Sequence, residues 1–312
     1  MRRLIGELNF DFMGKQQLAY VVSGALLLIA IVAIIARGLN LGVDFTGGYT
    51  IEVGYEQAPD LNEIRDSLSD AELPDSLVQT FGTSTEILIR MAPRDGATSA
   101  DISTEVLRVL DETSDSAVEM RRVEFVGPQV GEELREKGGI AILAALFGII
   151  VYIWFRFEKK FAVGSVLALV HDVIITVGFF ALFQIEFDLT ILAAILAVIG
   201  YSLNDTIVVF DRIREYFRTI RDGTPAEIMN QSINRTLSRT IITSTTTLLV
   251  LLALFFFGGQ IIHGFSLALI IGVVIGTYSS IFVASLAVLR LGITKEDLMP
   301  VEKEGADLDA MP

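Results

Sequence analysis

The sequence contains no cysteine and only two histidines, His171 and His263, in 312 residues. The first absence excludes a disulfide framework, an iron–sulfur cluster, thiolate-bound zinc and covalently attached c-type haem. The second, with no HExxH segment anywhere, leaves little from which to build a metal centre, and nothing else calls for a cofactor. Gly47 and Gly48 follow Asp44, but neither the G-x-G-x-x-G nor the P-loop spacing occurs, so this is no phosphate loop. Basic residues are also scarce, 24 against 38 acidic ones. From Arg37 to Gly138, 21 acidic residues stand against 9 basic ones, which is nearly all of the formal charge of −14. Such a stretch repels phosphates and argues against nucleic acid as a partner, although solubility alone also accounts for an acidic surface.

What is abundant is apolar sequence. At 52% hydrophobic residues and a mean hydropathy of +0.58 the chain falls among membrane proteins. A short amphipathic head with Arg2, Arg3 and Lys15 precedes an apolar run of membrane length, Gln16 to Ala36. Its core is too long for a cleaved signal and no convincing small-residue site follows, so it reads as an uncleaved signal-anchor. Five more apolar runs follow: Gly139 to Phe155, Phe161 to Phe183, Leu189 to Phe210, Thr240 to Phe257 and Gly264 to Leu289. Basic residues gather in the head, at Arg156–Lys160, at Asp211–Arg239 and after Leu289, and are missing from the turns Gln184–Asp188 and Gly258–His263. That asymmetry predicts both termini in the cytoplasm and the acidic stretch outside. The expected organisation is a head and first span over residues 1–37, an external domain over 38–137, spans two to six over 138–290, and a short charged, mobile tail over 291–312.

The external stretch reads as a soluble α+β domain. Tyr49, Ile51, Val53 and Tyr55 alternate as in a strand, and Asp60 with Glu63 forms a capping box ahead of Leu61, Ile64 and Leu68. Val78 to Phe81 and Ile87 to Met91 are two strands hinged near Gly82. Ile102, Val106, Val109 and Leu110 mark a second helix, and Val118 to Val126 a last strand. The order β-α-β-β-α-β is the ferredoxin-like pattern, which hosts many functions and names none. A second capping box, Thr224 with Glu227 around Pro225, starts a helix with an apolar stripe of Ile228, Met229, Ile233 and Leu237. That stripe suits either an interfacial helix lying along the membrane before the fifth span or contact with a partner subunit.

Polar groups inside the spans are few and therefore informative. His171 and Asp172 fall near the middle of the third span. Asn204 and Asp205 lie in the half of the fourth span nearer its charged end, which begins at Asp211. A carboxylate at such depth costs at least about 2.5–3.5 kcal/mol, so it is either a proton carrier near a wet crevice or a packing contact. The fifth span opens with Arg239 and continues through Thr240, Thr243, Ser244, Thr245, Thr246 and Thr247. Arg239 reaches the depth of Asp205, where pairing would favour the charged acid and separation the neutral one; snorkelling to headgroups is the alternative. The hydroxyls suit helix packing. Gly272 and Gly276, in GVVIG, are a close-packing signal in the sixth span.

Four segments in order, GVDFTGG (Gly42 to Gly48), VHD (Val170 to Asp172), GYSLNDTIVVFDRIRE (Gly200 to Glu215) and NRTLSRTIITS (Asn234 to Ser244), resemble the SecF family, the smaller membrane subunits of SecD–SecF protein-export complexes. The resemblance covers nearly the whole chain, and although each motif alone is weak to moderate, the four together are specific. It implies membership of the resistance–nodulation–division superfamily, in which two halves each carry a span, an external domain and five further spans. It further implies SecD as the other half, association with the SecYEG channel, and use of the proton-motive force to move unfolded polypeptide out across the cytoplasmic membrane, without enzymatic chemistry. In that family Asp205 matches an aspartate of the proton path, Arg239 the arginine facing it, and Asp44, Gly47 and Gly48 the signature joining first span to domain. A passive scaffold is a competing reading of the polar residues. An intramembrane aspartyl hydrolase built on Asp172 and Asp205 is another, but no GxGD segment is present.

Overall fold

The computed structural model describes residues 10–298 except 72, 74, 75, 95, 115 and 221; Arg2, Arg3 and the end of the tail lie outside the described residues. Among the described residues six helices are long and apolar enough to cross a membrane. The first is α1 (Gln16–Arg37), after a 3-10 turn at Met13–Lys15. Then follow, beyond the external domain, α5 (Pro128–Arg156), α6 (Lys159–Phe183), α7 (Leu189–Thr219) and α8 (Pro225–Phe257). The sixth span is composite: α9 (Gln260–Ser279), a π-turn at Ser280–Ala284, and α10 (Ser285–Arg290).

Between α1 and α5 the chain forms β1 (Asn40–Leu41), α2 (Val43–Thr46), β2 (Gly48–Tyr55), α3 (Leu61–Asp70), β3 (Leu77–Phe81), β4 (Thr83–Met91), α4 (Ser99–Thr113) and β5 (Val118–Val126). The sheet order is β3-β4-β2-β5, all neighbours antiparallel, which is the ferredoxin-like arrangement the strand and helix order foretells. Tyr49, Ile51 and Val53 of β2 bury one face of the sheet with Ile87 and Ile89 of β4, against Ile64 and Leu68 of α3 and Ile102, Val106 and Leu110 of α4. Asp60 caps α3, but it accepts the N–H of Asn62 at 2.8 Å without the reciprocal contact from Glu63 that a capping box needs. Thr224 and Glu227 do complete theirs at the start of α8.

The other face of the sheet looks onto the bundle. A crevice of about 600 Å³ separates them, with Glu52, Arg90, Arg122 and Glu124 on the sheet side and Glu186 and His263 on the bundle side. Glu186 belongs to β6 (Glu186–Phe187), in the α6–α7 turn, which pairs in parallel with β1. Arg90 of β4 forms an ion pair with Glu186, so a strand of the domain is tied to a turn of the bundle.

Within the bundle α6, α7 and the sixth span form the core. Half of the residues of the α6 and α7 spans are buried, against 11% of α5. Lipid offers no hydrophobic gain for helix pairing, so the contacts rely on small residues and close packing. A Cβ at Gly178 of α6 would lie 2.3 Å from the Cβ of Ala30 in α1. One at Gly272 would lie 2.1 Å from Val198 Cγ2 in α7, so the GVVIG signal marks a real crossing. The end of the bundle away from the domain is laced with charge: Arg156 with Asp211, Arg214 with Glu158, and Lys160 with Asp297.

The expected interfacial helix before the fifth span is not a separate element. Pro225 to Phe257 is one helix of 33 residues, about 50 Å long. No glycine or proline interrupts it, so nothing in the backbone favours a corner. Its stripe of Ile228, Met229, Ile233 and Leu237 is buried in the chain's own core. Its polar side holds the head: Asn234 accepts the N–H of Phe10 at 2.9 Å and donates to the Phe10 carbonyl at 2.8 Å, while Asn230 accepts the N–H of Met13 at 2.9 Å and donates to Asp11 at 2.7 Å.

Candidate functional site

Asp205 sits 16 residues into α7, about 24 Å from the end that faces the domain. It remains 8% exposed, while Asp172 on α6 is 1% exposed. Asp205 Oδ2 accepts the hydroxyl of Ser280 at 2.6 Å. Thr240 of α8 also faces it, and Arg239 and Asp172 are near enough for their charges to act on it. Among the described residues no ion pair joins Asp205 to Arg239 within 4.0 Å. Arg239 is exposed on the outside of α8, whereas Thr240 is buried. Adjacent helical residues point about 100° apart, so equal depth does not bring the guanidinium inward. Asn204 is likewise exposed, turned away from its neighbour Asp205.

Three donors converge on Asp172. Ser202 of α7 and Ser279 of the sixth span both donate to Oδ2, the latter at 2.6 Å, and His171 Nδ1 lies 2.8 Å from Oδ1. With the carboxylate ionised, His171 donates through Nδ1–H. Its Nε2 is buried without a hydrogen-bond partner among the described residues, and its ring centroid lies 6.2 Å from that of Tyr278. Asp172 and Asp205 share no hydrogen bond among the described residues; Ser202, Ser279 and His171 hold the first and Ser280 the second. The shared proton an aspartyl hydrolase would need is therefore not provided for.

The residues that organise these acids are Thr277, Tyr278, Ser279 and Ser280, four consecutive polar positions in the sixth span that the sequence reading passed over. Each points at a different helix. Thr277 bonds Ser244 of α8 at 2.7 Å, and Tyr201 of α7 donates to that same Ser244 at 3.4 Å. Tyr278 meets Ser23 of α1 at 2.9 Å and donates to the Ala19 carbonyl at 3.2 Å. Ser279 reaches Asp172 and Ser280 reaches Asp205. Four adjacent residues reach four helices because successive positions of a helix step about 100° around its axis; the last of them, Ser280, opens the π-turn. By contrast Thr246 and Thr247 merely return hydrogen bonds to their own helix.

The glycine signature works at the other end of α7. Asp44 Oδ2 accepts the N–H of Leu189 at 3.1 Å, and Asp188 accepts that of Ile191 at 2.8 Å, so two carboxylates satisfy the first turn of the helix that carries Asp205. Gly47 (φ 73°) and Gly48 (φ 137°) then let the outgoing chain press on the returning one. A Cβ at Gly47 would lie 2.8 Å from Pro128 Cα, and one at Gly48 would lie 2.4 Å from the Met91 carbonyl oxygen.

The architecture is that of a multi-span membrane protein with an external α+β domain between its first and second spans and two buried acids on neighbouring helices. Two family models match, the protein export membrane protein SecD/SecF C-terminal model over residues 106–294 and the SecD/SecF GG motif over residues 32–59. Among curated relatives, the protein translocase subunit SecF of Vibrio alginolyticus is 52% identical over 99% of each chain, and that of Escherichia coli O157:H7 is 50% identical over 97% of this chain and 94% of its own. The crystal structure of SecDF, a translocon-associated membrane protein from Thermus thermophilus, is similar at 37% identity with a TM-score of 0.82; the match covers 91% of this chain and 39% of that one. SecDF in a super-membrane-facing form matches the same shares at 39% identity with a TM-score of 0.66. The chain belongs to the SecD/SecF protein-export family, in its SecF branch.

Proposed function

We propose that the chain is a proton-coupled, non-enzymatic translocase subunit that works with SecD and the SecYEG channel to promote export of unfolded polypeptide across the cytoplasmic membrane. In this reading both termini are cytoplasmic and the ferredoxin-like domain is periplasmic, as the basic residues of the connections favour. The observation that carries it is Asp205: a carboxylate deep in a span, not fully sealed, held by the Ser280 hydroxyl, with Arg239 nearby and in no ion pair among the described residues. Protonation there removes the charge that Ser280 and Arg239 would stabilise, so α7 changes its neighbours as the acid loads and empties. Two links carry such a shift to the domain, the Asp44 cap on α7 and the Arg90–Glu186 pair. The two SecDF structures cover the same share of the chain at similar identity yet differ in TM-score, which fits a family whose parts take up different arrangements.

The test is Asp205→Asn in proteoliposomes holding the complex under an imposed proton gradient. Gradient-driven export is expected to vanish while SecD still co-purifies. Unchanged export would refute proton coupling through this residue. The scaffold reading draws on Asp172, whose sealed and fully bonded side chain is what a packing role requires. It predicts the reverse for Asp205→Asn, weakened co-purification with export still gradient-dependent.

A further inference from the structure

Ser279 and Ser280 each have two acceptors within reach. Ser280 Oγ lies 2.6 Å from Asp205 Oδ2 and 3.1 Å from the Thr277 carbonyl; Ser279 Oγ lies 2.6 Å from Asp172 Oδ2 and 3.1 Å from the Gly276 carbonyl. A serine has one proton to donate, so each hydroxyl chooses between a carboxylate on another helix and its own backbone. Both serines are fully buried and sit where the sixth span passes from α-helix to π-turn, and Ser285 donates back to the Ser280 carbonyl at 3.1 Å across that turn. A π-turn differs from an α-turn by one residue of register, a small and discrete change. We propose that Ser279 and Ser280 are positioning residues that couple the two buried acids, the π-turn being the element that shifts when one acid changes charge. This rests on the proton-coupled reading and names the route by which loading of Asp205 reaches Asp172.

The proton that binds Asp205 forms an O–H bond on its carboxyl group, while Ser280 keeps its own hydrogen and breaks no bond. The neutral acid is a weaker acceptor, so the Ser280 hydroxyl turns back to Thr277. Ser279, one position earlier on the same turn, is carried with it and loosens from Asp172. The charged or titratable groups that bear on Asp205 are Arg239 from α8 and Asp172 from α6; the sixth span offers it only the Ser280 hydroxyl. Asp172 in turn faces His171 on its own helix, with Tyr278 of the sixth span beside that imidazole.

The experiment uses the complex with SecD in proteoliposomes and reads two quantities against pH: proton flux, and the infrared carboxyl band that Asp205→Asn removes. Ser280→Ala deletes a hydrogen bond to a charged acceptor, so both midpoints are expected to move to higher pH by about one unit. Ser279→Ala, which does not touch Asp205, is expected to move the same midpoints by at least half as much, and the double variant by no more than the larger single effect. Ser280→Thr, which keeps the hydroxyl, should restore the original profile. Midpoints unmoved by Ser279→Ala, or effects that simply add, would overturn the coupling. Where Ser279→Ala does not assemble, Ser279→Cys supplies a weak donor of similar size and makes the same prediction. Asp205→Asn separates the two ideas: if it leaves flux unchanged the proton-coupled reading falls. If it abolishes flux while the serine variants leave the midpoints in place, only the coupling falls.

Discussion

Asp44 Oδ2 holds the backbone N–H of Leu189, so the signature segment that leaves the first span also caps the helix bearing Asp205. The two residues are 145 positions apart in the chain, and their contact joins the domain's root to the helix proposed to move. Replacing Asp44 by Ala frees an N–H at a helix end and removes a charge from a favourable dipole, at a cost of about 1 kcal/mol. Asp44→Ala is expected to lower the thermal midpoint by a few degrees and to reduce gradient-driven export far more than that loss of stability warrants. Asp44→Asn, which keeps an acceptor, should retain most of the stability. Equal effects of both variants on export would show that charge rather than capping matters.

Gly48 is constrained twice. Its φ of 137° is open to glycine and strained for other residues, and an added Cβ would strike the Met91 carbonyl oxygen at 2.4 Å. Because Gly48 opens β2, a central strand, Gly48→Ala is expected to cost 3 kcal/mol or more, roughly, and to expose the domain to protease while the bundle stays intact. Gly96 is the control for backbone conformation alone: it has φ 79° but open space around it, so Gly96→Ala should cost only about 1 kcal/mol.

The Arg90–Glu186 pair gives the docking of domain on bundle a dependence on pH. Burial pushes the Glu186 carboxyl above the usual glutamate range; Arg90 pulls against this, and the nearby Asp188 and Asp44 add to the push. A raised value means that the folded arrangement in which Glu186 is buried favours the protonated acid. The contribution is then fully present below the ordinary glutamate value and is lost as pH rises through the raised one. Distances between spin labels on domain and bundle should therefore narrow in distribution as pH falls from neutral. The absence of native cysteine makes such labelling selective. Glu186→Gln should flatten the dependence, since it removes the titrating group. Arg90→Met, by leaving the acid buried alone, should push the transition to higher pH. Docking that loosened on acidification would contradict this account.

Much of the architecture was legible in the sequence because membranes and sheets impose simple periods. The six spans follow from apolar length, and the domain's element order from alternation at Tyr49, Ile51 and Val53 and from the cap at Asp60. Asp205 stood out because a charge in lipid is costly. Ser279 and Ser280 did not, since a hydroxyl in an apolar run costs little and usually bonds its own helix. The π-turn was invisible for a related reason: Ser279 and Ser280 at its start bond acids on two other helices, contacts that no local pattern reports. Arg239 shows a third limit. Its depth follows from its place in the chain, but whether it faces Asp205 depends on rotation about α8, and there Thr240 takes the inner position.

The crossing of the sixth span over α7 is what brings these groups together, and it is set by Gly272. A Cβ there would stand 2.1 Å from Cγ2 of Val198 and 2.9 Å from its Cβ, atoms of a branched side chain with little room to turn. Gly272→Ala must therefore separate the helices, with an overpacking cost of about 1–3 kcal/mol. The separation falls two turns from Ser279 and Ser280, whose 2.6 Å contacts to Asp172 and Asp205 tolerate little of it. The expected result is a folded complex with a lowered thermal midpoint and a pH–flux profile like that of the serine double variant. Val198→Ala removes the obstructing methyl groups, so Gly272→Ala with Val198→Ala should recover most of both losses. Gly276→Ala, whose Cβ would approach Ser202 only to 3.2 Å, should be milder than Gly272→Ala. If the second substitution restored stability but not the flux profile, the crossing would matter for folding alone and the serine contacts would have to be positioned by something else.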